Sequence, residues 1–143
     1  MASITAATAV YTLSIPGLFG YPQSLQGFAA DDMFSTDALA SAETLMGVDG
    51  VLSGGFVNVE VKQGIKLQAD SASNALFDQW WNAQQQIQDT YTANGVVWIK
   101  ANGAKWAMTR GFLTKYKPMP DAKKLLQPRD YEITWQSISP ASI

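Results

Sequence analysis

The clearest pattern along this chain is alternation. In "FVNVEVK", residues 56–62, Val57, Val59 and Val61 fall on one side and Asn58, Glu60 and Lys62 on the other, the two-residue period of a half-buried strand. Gly64 interrupts the pattern and Ile65 and Leu67 resume it, which predicts one long bent strand carrying a bulge. "TAVYTLSI" (8–15) has the β-branched and aromatic content of a strand and is closed by Pro16-Gly17. Residues 16–36 are rich in loop formers, with extended structure around 24–29, and a weaker pattern predicts a strand over 39–46. The glycines of "MGVDGVLSGG" (46–55) predict a flexible turn or loop. Further on, "KWAMTRGFLTKYK" (105–117) is a long strand bulged at Gly111 and ended by Pro118 and Pro120. "DAKKLLQP" (121–128) fits a single helical turn or an ordered loop. "YEITWQSIS" (131–139) closes the chain as a strand with Tyr131, Ile133 and Trp135 on one face.

One segment has the helical period. In "SASNALFDQWWNAQQQIQD", about residues 72–88, Leu76, Trp80, Ala83 and Ile87 form a stripe that Phe77 and Trp81 widen, while Gln, Asn and Asp cover the other side. Ser71 or Ser73 can cap its start. The stripe is read as packing on a sheet, with Trp81 at its edge able to lie at an interface. Asn102-Gly103, between two β-rich runs, is a strong hairpin signal, because both residues tolerate the positive φ of a type I′ turn. A two-residue loop there sets Val97 opposite Met108, Ile99 opposite Trp106, Trp98 opposite Ala107 and Lys100 opposite Lys105. Opposed like charges are normally destabilising. The lysines read either as solvated charges that keep a hairpin tip from edge-to-edge sticking or as receivers of a carboxylate from an adjacent subunit. Together the elements predict a single domain over 1–143, mainly antiparallel β with one packed α-helix, arranged as a sandwich or barrel.

Composition moves the picture towards assembly. Charged residues are 15% of the chain against about 25% in a typical soluble domain, while five Trp, five Tyr and six Phe are present. Aromatic enrichment with charge depletion is how an interface core reads. The charges are also split. Residues 1–60 contain Asp31, Asp32, Asp37, Glu43, Asp49 and Glu60 and no Lys or Arg, whereas residues 61–143 contain six acidic and ten basic groups. Complementary patches of this kind orient self-association, and Asp31 and Asp32 are the natural donors to Lys100 and Lys105.

Chemistry is scarce. With no Cys and no His, disulfides, thiolate nucleophiles, imidazole bases and the usual zinc sites are excluded. Asp31-Asp32 is the only adjacent carboxylate pair, and neighbours in an extended segment point apart. No calcium-loop or phosphate-loop spacing occurs, so no catalytic residue, metal ligand or cofactor is assigned and an enzyme is not expected. The N-terminus lacks a basic region, no apolar run of about 20 residues is present, and no nucleic-acid motif is visible.

Three stretches carry a resemblance. "ETLMGVDGVLSGG" resembles the acidic strand and Gly-Asp-Gly turn of the tail tube proteins of contractile-tailed bacteriophages. "FVNVEVKQGIKLQADSASNALFDQWWNAQQQ" is similar to that family's long strand, polar cap and single helix, and "AKWAMTRGFLTKYKPMPDAKKLLQPRDYEITWQSISPASI" to its charged strand, Pro-rich link and closing aromatic strand. The likeness spans roughly residues 40–143. It implies a structural virion protein, located in the virion tail and assembled in the host cytoplasm, with no membrane partner. Its sheets would join around a hexameric ring, and rings would stack inside a contractile sheath. DNA would pass through the lumen without sequence-specific binding, and the tail sheath protein and the tape-measure protein would be partners. Trp81 is then a candidate sheath-facing or interface aromatic. The tube of a type VI secretion or other contractile injection machine shares this architecture. A monomeric β-barrel binding module with a Trp-lined pocket is the reading from a different class.

Overall fold

In the computed structural model, the structure describes residues 9–26, 28, 34–36, 38–39, 42–56, 58–99 and 103–141. The strands are β1 (Ala9–Ser14), β2 (Gln23–Ser24), β3 (Phe34–Thr36), β4 (Ala42–Met46), β5 (Leu52–Phe56), β6 (Val61–Leu67), β7 (Ala93–Ile99), β8 (Ala104–Tyr116) and β9 (Arg129–Pro140). Between β6 and β7 lies the helix α1 (Asn74–Ile87). Seven strands form one antiparallel sheet in the order β2-β1-β7-β8-β9-β6-β3, curled into a half-barrel. The other two, β4 and β5, pair only with each other among the described residues.

Alternation sets which face is buried. Tyr11 and Leu13 of β1, Val61, Ile65 and Leu67 of β6, Val97 of β7 and Tyr131, Ile133 and Trp135 of β9 all point into the core. The helix closes that side with Leu76, Phe77 and Trp80. Phe77 stacks on Tyr131 of β9 with ring centroids 4.1 Å apart and planes 9° from parallel. The expected stripe is rotated: Phe77 takes the centre, and Ile87, at 51% exposure, leaves the core. Ile87 belongs to the last helical turn, and the chain breaks away after it through Gln88, which has left-handed φ and ψ of 55° and 41°.

Neither serine caps the helix as expected. Ser73, at the N-cap position, makes no side-chain capping bond. Its hydroxyl instead accepts the Gln26 N–H at 2.7 Å, and the Ser71 hydroxyl donates to the Gln26 carbonyl and accepts the Ser73 N–H. The serines therefore tie the loop after β2 to the start of the helix.

β6 carries no bulge. Gln63↔Ile133, Gly64↔Glu132 and Ile65↔Tyr131 follow in unbroken register, and Gln63 occupies a core position between Val61 and Ile65. Its Oε1 accepts from the Tyr11 hydroxyl and from Trp135 Nε1 at 3.1 Å, so a polar side chain sits where the pattern expected an apolar one. Burial drives the Tyr11 pKa upward and keeps its hydroxyl a donor. The predicted strand also starts later, because residues 58–60 are exposed and outside any strand.

The bulge is in β8. Arg110 has φ of 49°, its N–H donates to Asn94 Oδ1 at 3.2 Å, and the register against β7 shifts between Ala93 and Gly95. Gly111 and Gly95 follow from this geometry. A Cβ on Gly111 would lie 2.5 Å from Trp135 Cε3, and one on Gly95 2.9 Å from Met108 Cε, so the strands approach the indole only because both residues lack one.

Candidate functional site

The described residues contain no group of three or more Asp or Glu side chains placed to hold a metal ion. A groove of about 450 Å³ is open and lined by Lys115, Tyr116, Lys117, Pro118, Asp130 and Glu132 among others. Its charges are partly spent on one another: Lys115 lies 3.7 Å from Glu132, and Lys117 lies 2.9 Å from Asp121 outside the groove. It presents no nucleophile–base arrangement.

Beside the groove a polar cluster fixes the helix. Arg129, almost fully buried, donates to Asp78 Oδ1 at 2.8 Å from Nη2 and to the Lys117 carbonyl from both Nε and Nη2. The Tyr116 hydroxyl also donates to Asp78 Oδ1, and the Tyr116 ring stacks on Trp81 at 4.9 Å. Burial alone would raise the Asp78 carboxyl, but the bonds from Arg129 and Tyr116 outweigh it and hold the group below the usual carboxylate range. Burial and the Asp78 charge together raise the Tyr116 hydroxyl. The cluster joins α1, β8 and β9, and no spacing in the sequence announced it. The one available signal was Asp78, the only acid within the helix, on the edge of the aromatic stripe.

The sites expected from sequence separate in different ways. Asp31, Asp32 and Lys100 lie outside the described residues. Lys105 does not face Lys100: its partner in β7 is Trp98, with Val97 opposite Trp106 and Ile99 opposite Ala104. The described ladder, which runs to Ile99↔Ala104, is shifted by two from the expected register. Gly103 still supplies a positive φ of 73°. A shift of two keeps every side chain on its face, so the apolar and polar faces of this hairpin stand as expected. Trp81 is 37% exposed and stacks one ring face on Tyr116.

Among the described residues, one exposed apolar segment is one that the glycine content concealed. "MGVDGVLSGG" is mostly hairpin, not loop. Its second half is β5, and Leu45↔Ser53 and Met46↔Leu52 pair across it. The tip is closed by Gly47 N–H to the Val51 carbonyl at 2.8 Å, Gly50 N–H to the Gly47 carbonyl at 3.0 Å, and Val51 N–H to Asp49 Oδ1 at 3.1 Å. Gly50 takes φ of 86°, the left-handed residue that a three-residue loop with a bulge requires. Asp49-Gly50 was the signal for this turn. Leu45, Met46, Val48, Val51, Leu52 and Phe56 are all exposed, Phe56 at 81%. Six exposed apolar side chains on one hairpin make it a candidate interaction surface.

Residues 2–139 match the family of tail fiber protein gp32. This chain belongs to that family. Solved structures share its fold over nearly the whole length. A chain of the anti-feeding prophage baseplate, 6-fold symmetrised, matches with TM-score 0.61 and 11% identity, covering 99% of this chain and 98% of that one. One from the sheath–tube complex of the PVC extracellular contractile injection system in its extended state gives TM-score 0.64 at 11% identity, covering 99% and 93%. A third, from the tube-terminating cap of the anti-feeding prophage, gives 0.63 at 10% identity, covering 100% and 93%. No curated protein matches the chain. This gp32-family chain therefore has the half-barrel fold found in contractile injection particles, and no described helix is long and apolar enough to cross a membrane.

Proposed function

We propose that this protein is a structural tail protein that builds the inner tube: copies join as hexameric rings, and the rings stack inside a contractile sheath as a conduit for DNA. The observation that carries the reading is the uncovered apolar β4–β5 hairpin on a fold shared, end to end, with a chain of a sheath–tube complex. A two-stranded hairpin exposing this much apolar surface is marginal alone and is stabilised by burial against a partner. Tail sheath and tape-measure proteins are the further partners of this reading, and Trp81 is the aromatic offered to the sheath. Asp31, Asp32, Lys100 and Lys105 remain candidate contacts between copies, now through charge alone, since Lys105 is not set against Lys100.

A second reading is favoured by the family's own description and by the matches to a baseplate and a cap. In it the chain forms a tube-like ring at one end of the tail. Sizing chromatography with negative-stain microscopy separates the cases. Long tubes support the first, single rings that do not polymerise support the second, and a 15.5 kDa monomer at high concentration overturns both in favour of a monomeric binding module. Whether such a tube belongs to a phage or to another injection machine is read from the particle that contains it.

A further inference from the structure

A second exposed apolar surface lies in the link between β8 and β9. Met119, Leu125 and Leu126 face solvent there, Leu125 at 77% exposure, with Lys123 and Lys124 exposed between them. The loop is ordered, not slack. Gln127 N–H donates to the Asp121 carbonyl at 2.9 Å, Gln127 Nε2 to the Leu125 carbonyl at 3.1 Å, and Ala122 and Leu126 form a bridge. Arg129 ties down its start through the Lys117 carbonyl. Lys117 and Asp121 neutralise each other, which leaves Lys123 and Lys124 as the charge this loop presents. Holding two leucines outward on a fixed loop removes much of the ordering cost that a flexible segment would meet on binding.

The hairpin has the complementary character. It is apolar at its tip, carries Glu43 and Asp49, and contains no Lys or Arg. Neither surface is covered within the subunit. We propose that the 42–56 hairpin of one copy docks on the 119–126 loop of a second copy. Val48, Val51 and Leu52 meet Met119, Leu125 and Leu126, and the acidic pair faces Lys123 and Lys124. Unlike surfaces joined this way make a heterologous contact, which repeats from copy to copy into a ring or a stack instead of closing at a dimer. Opposite charge selects the second copy as the occupant, because like-charged faces disfavour hairpin–hairpin or loop–loop contact. The inference rests on the self-assembly reading above.

The chain has no cysteine, so single introduced cysteines report contacts cleanly. Full-length Val48→Cys and Leu125→Cys proteins are mixed and oxidised, with Tyr21→Cys, another exposed site, as the control partner. The expected result is at least tenfold more Val48–Leu125 disulfide than either control pairing. Glu43→Lys with Asp49→Asn should lower that yield at least tenfold, and Lys123→Glu with Lys124→Glu in the partner should restore it. Asn at 49 keeps the bond that closes the tip, and unchanged circular dichroism checks the fold. A dominant Val48–Val48 product overturns the proposal. So does formation of rings or tubes, seen by microscopy, with Val48–Leu125 linkage no higher than the controls; that outcome leaves the assembly reading standing. A protein that stays monomeric throughout overturns both.

Discussion

The helix–sheet core and the β4–β5 hairpin draw on the same kinds of residue and end in opposite environments. Phe77, Trp80, Ile133 and Trp135 are buried from every side, whereas Phe56, Leu45 and Leu52 are more than half exposed. Local structure does not separate them, since the hairpin has a regular ladder and a closed turn. The difference is what lies across each face. The large sheet meets α1 and the serine-tied loop, while β4 and β5, among the described residues, pair only with each other. Apolar surface buried within the subunit stabilises the fold at about 25 cal/mol per Å². The same surface left open stabilises only an assembly. One region therefore reports on folding and the other on association, and substitutions should divide along that line.

The largest effect on folding is expected at the centre of the core. Trp80→Ala removes a fully buried indole and its 3.2 Å bond to the Tyr91 carbonyl, and should cost about 3–5 kcal/mol in chemical denaturation. An unchanged midpoint would mean that α1 does not close the core. Gly111→Ala tests the close approach of β8 to Trp135. The added methyl meets the ring at 2.5 Å and should cost about 1–3 kcal/mol, with a shift in tryptophan fluorescence as the indole moves. A neutral result would show that the bulge at Arg110 relaxes freely.

Acid should loosen the seam between helix and sheet next. The Asp78 pKa is depressed in the folded state. Its contribution is therefore present above the ordinary carboxylate value of about 4 and is lost as pH falls through the lowered folded value. Melting temperature followed from about pH 6 to pH 2 should fall less steeply for Asp78→Asn than for the natural chain. Identical slopes would place the acid sensitivity elsewhere. Asp121, paired with Lys117 at the surface, should contribute little to the difference.

The smallest folding effect is expected in the hairpin. Phe56→Ala should change the stability of the dilute subunit by less than about 0.5 kcal/mol, as an exposed substitution does. Amides of 42–56 should exchange quickly in the subunit and slowly once assembled. Equal protection in the two states would break the comparison, because the hairpin would then have a partner inside its own chain.

Much of this was legible in the residues themselves. Alternation assigned Tyr131, Ile133 and Trp135 to one face, and helical spacing found α1 to within two residues. Both follow from local backbone geometry, whose periods of 2 and 3.6 are written directly into side-chain order. Low charge with abundant aromatics raised the expectation of association, because composition reflects how much surface must remain wet, and that expectation enters the proposed function.

What only the tertiary structure decided depended on a second segment. Alternation has a period of two, so a ladder shifted by two satisfies it equally well, and the partner of Lys105 could not be read from faces alone. Gln63 reads as a break in an apolar pattern until Tyr11 and Trp135, far away in sequence, bring hydrogen bonds to it. Asp78 and Arg129 are 51 positions apart and become one site only when α1 packs on the sheet. The hairpin was the hardest case. Its glycines read as a loop, and only the folded chain shows a paired hairpin whose apolar side chains stay exposed.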